Sequence, residues 1–181
     1  MARLQTPKPH DVILNICKQA GVKLRKFRSV EEFEKEVESL MKNHDIIYLA
    51  TTKNDNPRCT PLGYVNKGLT VYILSEGGGK LANIKSNPKV SYSIASRIKR
   101  GKGLMRIRGL QVWGRATMIS MKKDREKFEE ALILMGVTRS LKRRGIKGLP
   151  PFNYRIIKIE PEKIRYLNLP MGINNVTWLK R

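Results

Sequence analysis

The sequence predicts a mainly β, antiparallel domain of the small-barrel or sandwich type, with helices at its periphery. Three observations carry this. Short runs rich in β-branched and aromatic residues recur from Ile46 onward, the first three joined by turns too short for a parallel crossover. Helical periodicity is confined to stretches flanking or interrupting those runs. At 181 residues and 40% hydrophobic, the chain can bury one sizeable core and shows no composition shift that would divide it into two full domains.

In chain order, Val12, Ile13, Ile16, Cys17 and Ala20 fall on one face of a short helix that Gly21 can end. Ser29-Val30-Glu31-Glu32 has the capping-box pattern, and Val30, Phe33, Val37, Leu40 and Met41 mark the apolar stripe of a second helix. Its glutamates have no partner site in the sequence that would make them catalytic, and the helix reads as an amphipathic cover for the end or side of a barrel. Residues 1–44 are therefore expected to form an N-terminal helical extension, and residues 45–181 one compact domain.

From Asp45 the period changes to that of strands. Ile46 to Thr52, Arg58 to Val65 and Val71 to Leu74 are expected to form an antiparallel meander, with turns at 53–57 and 66–68. Val90 to Ile94 gives a fourth strand. Met105 to Ile119 gives a long, bent fifth, with Val112, Gly114, Ala116 and Met118 on one face and Gln111, Trp113, Arg115 and Thr117 on the other. Lys122 to Met135 reads as a helix with Phe128, Ala131, Leu132 and Met135 buried, ended by Gly136. Arg139, Lys142, Arg143, Arg144 and Lys147 are expected in a solvated connection. Phe152 to Ile159 and Ile164 to Leu167 close the sheet around a turn at Pro161-Glu162-Lys163.

Between the third and fourth strands lies Ser75-Glu76-Gly77-Gly78-Gly79-Lys80, after which Leu81, Ile84 and Lys85 recur at helical spacing. Consecutive glycines let backbone N–H groups converge, and a helix start adds unpaired N–H groups and a positive dipole end, so an anion such as a phosphate could be held there with Lys80 as countercharge. A flexible exposed turn is the competing reading, and the spacing is not that of a nucleotide-triphosphate loop.

The formal charge of +22, from 37 Lys and Arg against 15 Asp and Glu, attracts anions without choosing among phosphorylated ligands, nucleic acid and acidic proteins. The basic run Arg97, Lys99, Arg100 and Lys102 reads first as a solvated hairpin tip; it has no interleaved aromatics on which bases could stack. Cys17 and Cys59 form neither a disulfide framework nor a zinc motif, there is no Ser-His-Asp set, and His10 and His44 read as surface residues. With neither a signal-peptide pattern nor a membrane-length apolar run, the expected location is the cytosol.

Several segments, taken in order, resemble a known family. Ile47-Tyr48-Leu49-Ala50-Thr51, Asn56-Pro57, Arg58-Cys59-Thr60-Pro61-Leu62, Gly79-Lys80-Leu81-Ala82-Asn83-Ile84, Asn87-Pro88-Lys89-Val90-Ser91 and Gln111-Val112-Trp113-Gly114-Arg115-Ala116 are similar to the FMN-binding split barrel of the pyridoxamine 5′-phosphate oxidase-like proteins, over roughly Asp45 to Ile119. The resemblance implies an antiparallel split β-barrel and a flavin phosphate gripped by Arg58 and Lys80 beside Gly78 and Gly79. It further implies that Cys59, Thr60, Leu74 and Ser75 border the ribityl chain and ring, and that Gln111 contacts the flavin from a later strand.

The resemblance also implies a homodimer with flavin at the subunit interface. The true oxidases carry a substrate-phosphate lysine where this chain has Gly63, an Arg-Lys pair where it has Gly79-Lys80, and a C-terminal tryptophan-and-arginine pattern of which only Trp178 is present. The expectation is thus an FMN-dependent oxidoreductase or flavin reductase-like protein of unknown substrate, not a pyridoxamine phosphate oxidase. The deazaflavin coenzyme F420 is the alternative ligand, and a basic nucleic-acid or protein-binding module on the same scaffold is the alternative function.

Overall fold

The structure, a computed structural model, describes residues 2–96 and 106–181. The basic run around Arg97 to Lys102, and Met105 at the expected start of the fifth strand, lie outside these residues. Strand β1 (Ala2–Gln5) comes first, in a stretch the sequence left without an element. Helix α1 (Asp11–Gln19) starts at His10, whose ring nitrogen Nδ1 accepts the Val12 N–H at 3.3 Å, and it ends before Gly21, left-handed at φ 66°.

Helix α2 (Val30–Lys42) is capped by Ser29, whose hydroxyl accepts the Glu32 N–H at 3.2 Å. The Glu32 carboxylate reaches back to the Arg28 N–H at 2.7 Å, one residue earlier than in a standard capping box. Phe33, Val37, Leu40 and Met41 bury the predicted stripe. Part of the acidic face is engaged: Glu32 and Glu36 hold Arg25 at 2.7 and 3.3 Å, and Glu34 accepts the Trp178 indole N–H at 2.8 Å.

Strands β2 (Ile46–Lys53) and β3 (Asn56–Gly63) form a hairpin whose two turn residues, Asn54 and Asp55, are both left-handed, matching the twist of the strands. The expected meander breaks here. The second strand stops at Gly63, and Val65 to Lys67 form a separate strand, β4, which pairs with β5 (Thr70–Ser75). Tyr64 makes the bend: its N–H donates to the Asp45 carbonyl and its buried hydroxyl donates to the Met41 carbonyl at 2.7 Å, so the chain is pulled inward between β3 and β4.

Helix α3 (Gly79–Ser86), β6 (Lys89–Ala95) and β7 (Arg108–Ser120) follow, the last with the predicted alternation of buried and exposed faces. Helix α4 (Arg125–Leu134) ends at Gly136, whose left-handed φ of 68° turns the chain at once into α5 (Val137–Arg143). The expected solvated connection is therefore partly a helix. Its cations are exposed, as expected, but its apolar Leu141 is half-buried.

Strand β8 (Arg155–Asn168) is continuous where two strands and a turn were expected. Trp113 pairs with Lys163 and Gly114 with Pro161, which leaves Glu162 as an extra residue in a bulge. Pro161 has no N–H to lose from a ladder, and Gly114 has no side chain, so the Glu160 carbonyl can close over it. Strand β9 (Ile173–Lys180), also unexpected, pairs with the second half of β8 and with β1.

The order β3-β2-β6-β7-β8 continues on one side through the first half of β8 to β5, and on the other through β9 to β1. Strand β3 reaches β5 through the chain itself at β4 and not through a ladder, so the curled sheet is an antiparallel split β-barrel. Ile47, Leu49, Tyr92, Val112, Ile159 and Ile164 fill it, and α2 caps it. A smaller cluster of Phe128, Ala131, Leu132, Tyr154 and Ile156 seats α4 on the outside. Among the described residues, no helix is long and apolar enough to cross a membrane.

Two substitutions test this packing. A methyl group on Gly114 would overlap the Glu160 carbonyl oxygen. Gly114→Ala is expected to cost about 3 kcal/mol and lower the melting temperature by roughly 6 to 12 °C, while Gly148→Ala, with open space around it, leaves it unchanged. The Tyr92 hydroxyl is buried with no hydrogen-bond partner among the described residues, and burial raises its pKa. Tyr92→Phe is expected to be neutral or to stabilise by about 1 kcal/mol in urea unfolding.

Candidate functional site

Strand β5 delivers the chain to one mouth of the barrel at Ser75. Gly77 and Gly78 then take φ values of 150° and 93°, conformations that L side chains rarely adopt, and Gly78 becomes the N-cap of α3. Having no side chain, Gly78 leaves the first-turn N–H groups of α3 without a side-chain cap, at the positive end of the helix dipole. The helix is fixed against the barrel by Asn83, whose amide donates to the buried Thr51 hydroxyl at 3.1 Å. The Ser75 hydroxyl, also buried, donates to the Gly77 carbonyl at 3.4 Å, and the Lys80 ammonium donates to the same carbonyl at 2.8 Å.

Arg58 comes to this mouth from a different strand. It pairs with Thr51 across β2 and β3, and antiparallel partners share a face, so the arginine stands on the side to which Thr51, Leu49 and Ile47 turn. Its Nε donates to the Thr60 hydroxyl at 3.4 Å. Its guanidinium lies over Gly79, where an added Cβ would stand 3.0 Å from a terminal nitrogen. Burial, and then the positive charge of Arg58, lower the Lys80 pKa, with Glu76 partly opposing them. Neither Arg58 nor Lys80 belongs to an ion pair among the described residues. Two cations thus converge on uncapped amides, and an anion between them would relieve their repulsion and satisfy the N–H groups together.

Of the residues singled out from sequence, the fold gathers Arg58, Thr60, Ser75, Gly78, Gly79 and Lys80 here. The other three side chains point elsewhere. Cys59 pairs with Ala50 and is exposed on the outer face of the sheet. Gln111 pairs with Ser93 and Arg165 on that outer face, beside Trp113, whose ring carries Lys163 at 4.9 Å. Leu74 packs toward the α4 cluster.

Thr51, Asn83 and Arg155 were missed. Thr51 was legible as a polar residue next in line after Ile47 and Leu49 on the buried face of β2. Asn83 lies within the family-like helix start without a role given to it there, and nothing in the sequence marks Arg155 as the strand partner of Ser75. Trp178 is buried and tied to Glu34 in the wall of the fold. His44 is half-buried rather than superficial, with Nδ1 bonded to the Leu40 carbonyl and Nε2 to the Ser96 hydroxyl. No group of three or more His, Cys, Asp or Glu residues able to hold a metal occurs among the described residues.

Comparison with solved structures places this geometry among split barrels. A candidate pyridoxamine 5′-phosphate oxidase from Listeria innocua superposes with a TM-score of 0.57 at 23% identity, covering 75% of this chain and 98% of that one. An FAD-binding protein from Mesorhizobium loti gives 0.56 at 17% identity, covering 81% and 94%. HutZ, the heme storage protein of Vibrio cholerae, gives 0.56 at 21% identity, covering 71% and 89%. At these identities the likeness is one of fold. No curated protein sequence matches significantly. The family model described as pyridoxamine 5′-phosphate oxidase matches residues 33–168, a span from α2 to the end of β8 that holds the whole barrel mouth, and on that match the chain belongs to the pyridoxamine 5′-phosphate oxidase family.

Proposed function

We propose that this protein binds FMN and serves as an FMN-dependent oxidoreductase of the flavin reductase kind, acting on a substrate other than pyridoxamine 5′-phosphate, as a homodimer with flavin at the subunit interface. The observation that supports it is the convergence of Arg58 and Lys80 on the uncapped amides of the glycine turn. A phosphate dianion fits this place by charge, by donor count, and by the missing Cβ at Gly79, which leaves the guanidinium and the helix start close together.

Arg58 and Lys80 would grip the phosphate, and the glycine turn would supply backbone donors. Thr60 and Ser75 would lie toward the ribityl chain. Cys59 and Gln111, on the outer face, would serve the flavin of a second copy, which is how the homodimer reading accommodates their position. The flavin, when bound, supplies the hydride or electron chemistry. Coenzyme F420 would use the same cations, and its spectrum separates it from FMN. A haem reading, suggested by HutZ, finds less support: His44 has both ring nitrogens engaged, and the ring of His10 caps α1. Gly63, at the end of β3, offers no cation for a substrate phosphate, consistent with a different substrate.

Purified protein is expected to be yellow, or to take up added FMN, and its flavin to be reduced by a nicotinamide or chemical donor and reoxidised. A colourless protein that takes up no FMN would sink the proposal. Nucleic-acid binding that falls steeply with salt in such a protein would favour the basic-module function instead. Lys80→Ala removes a charge-assisted contact and is expected to weaken FMN binding by about 1.5 to 3 kcal/mol, roughly ten- to hundredfold, while riboflavin, which lacks the phosphate, is bound as before. Arg58→Ala acts in the same direction, and the double variant loses less than the sum because both cations serve one anion. Equal losses for FMN and riboflavin would mean that Lys80 supports the fold or the ring.

A further inference from the structure

Beyond the barrel mouth, we propose that the surface between α4, α5 and the start of β8 is a binding site for an organic anion with an apolar body, a carboxylate or phosphate ester carried on a hydrocarbon or aromatic frame. Two grooves adjoin there. One, of about 520 Å³, runs between α4 and residues 145–149; the other, of about 350 Å³, runs along residues 148–155. They share Met121, Gly148 and Leu149, and each is within the size range of small-molecule sites, about 300 to 1,000 Å³.

Their walls are apolar, and large hydrophobic side chains stand exposed at their rims: Met121 at 47%, Ile146 at 45% and Phe152 at 61%. The charged groups among those walls are mostly cationic. Lys142 and Lys147 line the larger groove, Lys122 and Arg155 the smaller. The one acid lining either groove is Glu129, already engaged by Arg125 at 2.8 Å. From Val137 to Arg155 the chain carries six Lys and Arg residues and no Asp or Glu. Apolar surface beside cations that form no ion pair among the described residues favours a ligand that is both greasy and negative. A nucleic-acid backbone would satisfy the lysines but gain nothing from covering Ile146, Leu149 and Phe152.

The smaller groove is lined in part by Tyr154 and Arg155. Arg155 is the β-ladder partner of Ser75, and after burial the charge of Glu76 is the next influence raising the Tyr154 pKa. A molecule in the grooves would therefore lie next to the barrel mouth. That it would be a substrate for flavin rests on the reading given under Proposed function; that it binds does not.

The test uses anilinonaphthalene sulfonate, an anionic apolar fluorophore, with neutral phenylnaphthylamine as its uncharged counterpart, on the full chain. Saturable binding of the anionic probe is expected, displaced by decanoate and not by acetate. Lys142→Glu combined with Lys147→Glu is expected to weaken it at least about tenfold, and Phe152→Ala about threefold or more, while phenylnaphthylamine responds to Phe152→Ala alone. FMN affinity should stay within about twofold in all these variants, so a failure of the groove and a failure of the flavin site are read separately. Thermal melts confirm that the charge-reversed chain folds, and Lys147→Gln gives a milder change in the same direction. Equal affinity for the neutral probe, or an equal loss from Lys18→Glu on the distant helix α1, would overturn the proposal in favour of plain hydrophobic or whole-surface electrostatic binding.

Discussion

The close approach of β7 and β8 at Gly114 is the contact on which the rest of the architecture depends. With no Cβ at that position, the Glu160 carbonyl can settle against the β7 backbone, Glu162 can bulge out, and a fourteen-residue strand can bend without breaking. Before the bulge β8 pairs with β5, and after it with β9. One strand therefore belongs to two parts of the sheet, and the barrel closes on one side while β9 and β1 extend it on the other. Before the bulge Arg155 pairs with Ser75, so the chain that leaves α5 rejoins the sheet beside the glycine turn.

At the barrel mouth the fold sets local electrostatics against ligand affinity. Bringing Arg58 to Gly79 and part-burying Lys80 beside it places like charges together, which the lowered lysine pKa records. A site built for stability alone would hold a carboxylate there; Glu76 is near enough to oppose the shift but forms no ion pair with either cation among the described residues. Arg25, by contrast, is neutralised from within the chain by Glu32 and Glu36. On the reading proposed above, the countercharge at the mouth would come from a bound anion.

Family membership constrains chemistry less than it constrains shape. Proteins with this barrel are described variously as FAD-binding and heme-storing, so function has to be sought in the side chains that a particular sequence places at the mouth and around it. In this chain those are two cations over a glycine turn, a glycine at the end of β3, and a basic, apolar surface on the α4 and α5 side. An enzyme that borrows its chemistry from a bound cofactor needs little more from the protein than grip, orientation and a path for the reacting partner.

The sequence by itself determined the class of the fold and the position of its glycine turn, because both are written in local patterns. Alternation along β2 and β7, the stripe of α2, and the backbone freedom of Gly77 and Gly78 act over a few residues and are visible in a few residues. The tertiary structure alone decided what depends on partners distant in the chain. Strand β1 is too short and polar to be read without β9 to pair with, and β8 looked like two strands because its bulge is explained by a glycine nearly fifty residues earlier. The meander failed because Tyr64 bonds to Met41 in a helix, a contact that leaves no trace in the strand pattern. Six of the nine candidate site residues meet at one mouth, while Cys59, Leu74 and Gln111 turn away: spacing along a strand gives the face, but only the closed register decides what each face meets.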